Sequence, residues 1–83
     1  MIDKIKLIDP TILIADGYDD CIIGLTFRDD ELVALYSADR ILEKLAQDMT
    51  DIEALEYFEY NIEGAYMGVK TPKYIWGYYD ALD

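Results

Sequence analysis

Cys21-Ile22-Ile23-Gly24-Leu25-Thr26-Phe27, then Arg28-Asp29-Asp30-Glu31, then Leu32-Val33-Ala34-Leu35-Tyr36 is the stretch that decides the fold. Two apolar runs rich in β-branched and aromatic residues flank a short polar connection, which predicts an antiparallel hairpin over 21–27 and 32–36. Both runs are nearly continuous in apolar residues, so they are expected to be buried on both faces or covered by a helix laid across one. Ser37 follows at once and is placed to cap a helix over 38–48. In and just beyond that span Ile41, Leu42, Leu45, Ala46 and Met49 recur at helical spacing, while Asp39, Glu43, Lys44 and Gln47 take the other side.

Toward the C-terminus, Thr50-Asp51-Ile52-Glu53 has the form of a capping box. A second amphipathic helix is predicted over 51–62, ended by Gly64, with Ala54, Leu55, Phe58 and Ile62 as its apolar stripe. Phe58 and Trp76 are assigned to the core. Residues 65–67 and 73–76 are two short extended candidates, and Pro72 between them favours an edge strand or a turn. Tyr74, Trp76 and Tyr78 share a face if that segment is extended. Toward the N-terminus, Asp9 and Pro10 suit the cap and first position of a short helix running to Gly17; a strand over 11–15 is the competing reading. The expectation is one α+β domain over 1–83: a small antiparallel sheet, made of the hairpin plus one or two short C-terminal strands, packed against two amphipathic helices, with a short N-terminal helix.

The charge bounds the function. In 83 residues, 18 acids face seven bases, a formal charge of −11, while 53% of residues are hydrophobic. The apolar fraction supports a packed core. The charge steers basic partners inward and disfavours nucleic acid as a direct ligand, because phosphate binding needs clustered Lys and Arg. Cys21 is the single cysteine, which excludes an internal disulfide, and its apolar setting reads as a small buried residue. No apolar stretch approaches the roughly 20 residues of a membrane span, and Met1-Ile2-Asp3-Lys4 begins no secretory signal. The expectation is a cytoplasmic protein without membrane partners.

Catalysis is not expected. There is no histidine, no Gly-rich phosphate loop with its lysine, no nucleophile elbow and no cysteine pair, so no cofactor is expected either. Asp16, Asp19 and Asp20 cluster near Gly17, and Asp29, Asp30 and Glu31 cluster in the hairpin connection. Neither set has the alternating ligands and distant Glu of a calcium loop, so both read as solvated turns and no metal site is assigned.

The informative constellation lies on the second helix. At about 100° per residue, Glu53, Glu56, Glu59 and Glu63 fall on one side and Leu55, Phe58 and Ile62 on the other. The row is about 15 Å long at 1.5 Å rise per residue, and no Lys or Arg lies within the helix. It reads either as a partner-binding face, spaced to copy nucleic-acid backbone for a basic cleft, or as an ordinary solvated face rich in helix-forming Glu. Tyr60 falls close to the row and joins it as the candidate aromatic contact. Among the eight tyrosines, Tyr78 and Tyr79 near the C-terminus suggest a second possibility, packing against another subunit.

Three segments carry a resemblance: Ala15-Asp16-Gly17-Tyr18-Asp19-Asp20-Cys21-Ile22-Ile23-Gly24, Ala54-Leu55-Glu56-Tyr57-Phe58-Glu59-Tyr60-Asn61, and Gly64-Ala65-Tyr66-Met67-Gly68 with Thr71-Pro72. Over about residues 12–75 the chain resembles a recurrent group of small, acidic, uncharacterised bacteriophage proteins. The resemblance implies a phage-encoded cytoplasmic accessory protein of the host cell and supplies no catalytic residues. In that setting, acidity suggests an inhibitor or regulator occupying the basic, nucleic-acid-binding surface of a host protein such as a defence nuclease or polymerase. A structural or oligomeric accessory protein with a Tyr-rich interface is the alternative.

Overall fold

In the computed structural model, which describes residues 1–77, a three-stranded sheet carries its helices on one face. Strands β1 (Ile22–Arg28) and β2 (Glu31–Ser37) form the expected antiparallel hairpin, turning at Asp29 and Asp30. Asp29 takes a positive φ of 53°, a left-handed conformation that Asp tolerates better than bulkier residues. Between Ile22 and Gly24 the register shifts, leaving Ile23 as the extra residue of a bulge. Pairing puts Ile22, Leu25, Ala34 and Tyr36 on one face with Tyr74, and this face carries the core.

Helix α2 (Ala38–Leu45) starts directly from β2, with Ser37 Oγ accepting from the Arg40 amide at 3.2 Å. It stops three residues short of the expected 48, because the chain tightens into successive turns whose amides at Gln47 and Asp48 reach Lys44 and Leu45. Helix α3 (Asp51–Tyr57) begins at the Thr50 capping box and passes into a wider π-helical turn, Phe58–Glu63. Ile5, Ile41, Phe58 and Ile62 then close over the sheet.

Three expectations are corrected. The sheet is mixed, because β3 (Lys73–Ile75) pairs parallel to β2. Two helices and a loop separate those strands, and a crossover of that length returns the chain to run in the same direction. Of the two extended candidates, 65–67 lies in a loop instead of a strand, so among the described residues one of the expected one or two C-terminal strands forms, and β3 is the edge strand that Pro72 foreshadows. The N-terminal helix is α1 (Ile2–Ile8), ahead of the expected 10–17. Asp9 instead ends it, in extended conformation, and its carboxylate accepts from the Thr11 amide at 2.9 Å and hydroxyl at 2.6 Å. The side chain that was read as a helix cap makes an Asx-type turn, a competing use of the same chemistry. Residues 12–15 are neither helix nor strand.

Trp76 is also reassigned. It is 47% exposed, meeting Phe58 edge-on at a centroid distance of 5.5 Å at the margin of the sheet. Leu55 is exposed too, so Ala54, Phe58 and Ile62 form the buried stripe of this helix. Tyr78 and Tyr79 lie outside the described residues.

The loop from 64 to 72 is held by Thr71. Its hydroxyl donates to the Gly68 carbonyl at 2.6 Å and accepts from the Met67 amide at 2.8 Å. Arg28 then donates to the Thr71 and Pro72 carbonyls, while Lys70 pairs with Asp9 at 2.9 Å and Glu31 at 3.1 Å. Thr11 and Lys70 together hold the Asp9 carboxyl down at about 2. The basic side chains at 28 and 70 thus tie the return loop to the hairpin and N-terminal segment, away from α3.

Candidate functional site

The start of the acidic row is fixed by the cap. Glu53 donates its amide to Thr50 Oγ1 at 3.2 Å, and Glu53 Oε1 accepts the Thr50 amide at 3.0 Å. The Thr50 amide first and the Thr50 side chain second hold the Glu53 carboxyl below its usual value. One of its oxygens is therefore occupied in starting the helix.

Beyond Tyr57 the helix widens. The Gly64 amide donates to the Glu59 carbonyl at 2.9 Å, five residues back, as a π turn requires. A wider turn rotates less per residue, which brings Phe58 and Ile62 toward one line, and both are buried. The same change divides the outer face. Glu53, Glu56 and Tyr60 are brought together, and with Asp48, Met49, Tyr57 and Asn61 they line one shallow groove. Glu59 is exposed and lines no part of it. Glu63 turns toward a different groove beside Arg28, Lys73 and Tyr74. There, burial first and the Glu63 charge second raise the Tyr74 phenol.

The four glutamates therefore do not make one continuous row. The structure sets a shorter acidic group beside an aromatic residue, Tyr60, that is 82% exposed. Asn61 donates its side-chain amide to the Tyr57 carbonyl at 3.3 Å, which steadies the rim. Asn61, Asp48 and Met49 join the groove although none is among the expected contact residues. The spacing of Glu53, Tyr57 and Asn61 in steps of four was the available signal.

Gly64 makes the wide turn possible. Its φ of −76° is open to any residue, but a Cβ there would lie 2.5 Å from the Glu59 carbonyl oxygen, which is backbone and has no side-chain freedom to withdraw. Gly64→Ala is expected to open the turn at a cost of about 1–3 kcal/mol, the range of an overpacked site. A lowered urea midpoint together with faster hydrogen exchange at the residue-64 amide is the expected result; an unchanged midpoint would show that the turn closes without this contact.

Asp20 pairs with Lys44 at 2.9 Å and Glu31 with Lys70, and among the described residues no group of three His, Cys, Asp or Glu is placed to hold a metal ion. Cys21 is buried, and burial pushes its thiol up to about 11, which opposes thiolate chemistry. Glu53 and Glu56 line an open surface groove, so neither carboxylate is enclosed. No helix among the described residues is long and apolar enough to cross a membrane. Comparison of the chain with protein-family models, with curated proteins and with solved structures finds no match in any of the three.

Proposed function

We propose that this chain is a phage-encoded binding protein that places the acidic, aromatic face of α3 against a basic surface of a host protein, acting as its inhibitor or regulator. The observation that carries the reading is the placement of exposed Tyr60 beside Glu53 and Glu56, on a segment from 51 to 63 that has five acids and no base. A large ring left in water beside unneutralised charge is the composition of an interface centre, where the ring is desolvated and the charge finds a partner. A net charge of −11 adds long-range steering toward a basic target. Nucleic-acid-binding clefts of defence nucleases or polymerases supply such surfaces, and the resemblance to small acidic phage proteins favours that setting.

The test is affinity capture from bacterial host lysate at low and high salt, followed by mass-spectrometric identification. Surface charge attraction is screened over about 8 Å at physiological ionic strength. The expected partner is a protein with a basic cleft, captured at low salt and released at high salt. Capture that is indifferent to salt, or absent under both conditions, would overturn the reading.

A further inference from the structure

Tyr57 and Asn61, one helical turn apart, belong to two depressions at once. On one side is the acidic groove with Glu53, Glu56 and Tyr60. On the other is a mainly apolar depression walled by Ile14, Tyr18, Ile62 and Met67. Its walls come from the chain before β1, which also brings Asp16 to the edge, from the end of α3 and the π turn, from the loop held by Thr71, and from Tyr74 of β3. Met67 is 56% exposed there, although its backbone is fixed by the Thr71 hydroxyl. The Asn61 side chain donates one amide hydrogen to the Tyr57 carbonyl, which leaves a second N–H and the acceptor Oδ1 on the divide.

We propose that the two depressions form one docking site for a basic peptide segment of the partner protein. Lys or Arg side chains of that segment lie against Glu53 and Glu56, with the Tyr57 and Tyr60 rings beside them, and an apolar side chain crosses the divide to lodge against Ile62 and Met67. This rests on the basic-partner reading and names the chemistry that the partner presents.

Charge complementarity selects the occupant. No Lys or Arg lines either depression, so the acidic half is unneutralised by its own walls. A nucleic acid is repelled there, and a second copy of this chain brings its own −11 to the same place. A lipid or other uncharged apolar ligand fills the second half and leaves the first without a counter-charge. A purely cationic surface does the reverse. Only a segment carrying both cations and an apolar anchor satisfies both halves, and aromatic rings beside the carboxylates suit cationic heads as well.

The test uses the full chain and short Lys- and Arg-rich peptides, each with one leucine moved through successive positions, and matched peptides with serine in its place. Affinity is read by fluorescence anisotropy and the contact by amide chemical shifts. The best leucine peptide is expected to bind about tenfold or more tightly than its serine match, the return on burying one such side chain, with shifts at Tyr57, Asn61 and Met67. Met67→Asp, at an exposed side chain, is expected to remove the leucine advantage while preserving binding of the serine peptide. If leucine and serine peptides bind alike at every position, the apolar half has no part and this inference falls, while the basic-partner reading stands. If no basic peptide binds in a salt-sensitive way, this inference falls, and the basic-partner reading is decided by the lysate capture.

Discussion

Phe58→Ala is expected to remove a large part of the stability of the domain. Phe58 has no exposed surface and meets Tyr74 and Trp76 edge-on, at centroid distances of 5.4 and 5.5 Å and interplanar angles of 89° and 84°. Truncating a buried Phe costs about 3–5 kcal/mol through lost transfer energy and the cavity left behind. A domain of this length has only about 4–12 kcal/mol in total at typical stability per residue. The consequence is a fall in Tm of about 15 °C or more, or loss of a cooperative transition. Trp76 is the single tryptophan and reports the change directly through its emission and near-UV signal. Phe58→Leu keeps much of the volume without the ring-edge contacts, so it is expected to lie between the two. An alanine variant that unfolds with the parent would show that the helix and β3 are joined elsewhere.

The parts of this fold that were legible in the sequence are those governed by short-range rules. The hairpin, the Ser37 cap and the Thr50–Glu53 box each depend on residues within a few positions of one another, and each forms as read. What escaped involved a choice between two uses of one chemistry or a contact far along the chain. Asp9 suits a helix cap and an Asx turn equally well, and the choice falls to the turn, beside Lys70 from the far end of the sequence. The direction of β3 depends on where two helices deliver it, which no local pattern encodes. Trp76 looked like core because it is large and apolar; an edge strand of three residues leaves its outer side in water.

The candidate site shows the same division. A helix wheel at constant rotation puts Glu53, Glu56, Glu59 and Glu63 on one side, and it holds while the helix is regular. The π turn ends that regularity just beyond Tyr57, and nothing in the local propensities of Phe58-Glu59-Tyr60-Asn61-Ile62-Glu63 signals it. Gly64 was readable as a helix terminator, but its role is a close backbone approach at ordinary φ. The acidic face is therefore shorter than the sequence implied, and Tyr60 lines the same groove as Glu56, where the helical spacing places it.

Reversing the charge at Glu56 and Glu59 together is the decisive change for the proposed function. These positions are chosen because Glu53 is tied into the capping box, so its loss would weaken helix α3 and confuse the outcome. Glu56 lines the groove, Glu59 flanks it, and both side chains are exposed. Glu56→Lys with Glu59→Lys changes the net charge by +4, from −11 to −7, and concentrates that change where a cationic partner would sit. Like charges set opposite one another across an interface cost several kcal/mol, so capture of the host partner is expected to fall by about a hundredfold or more. The fold should persist, because new lysines in exposed positions of an all-acidic helix relieve repulsion. Circular dichroism and the urea midpoint check that persistence. A stable variant that no longer captures the partner assigns recognition to this face, and a stable variant that captures it unchanged removes the face from consideration.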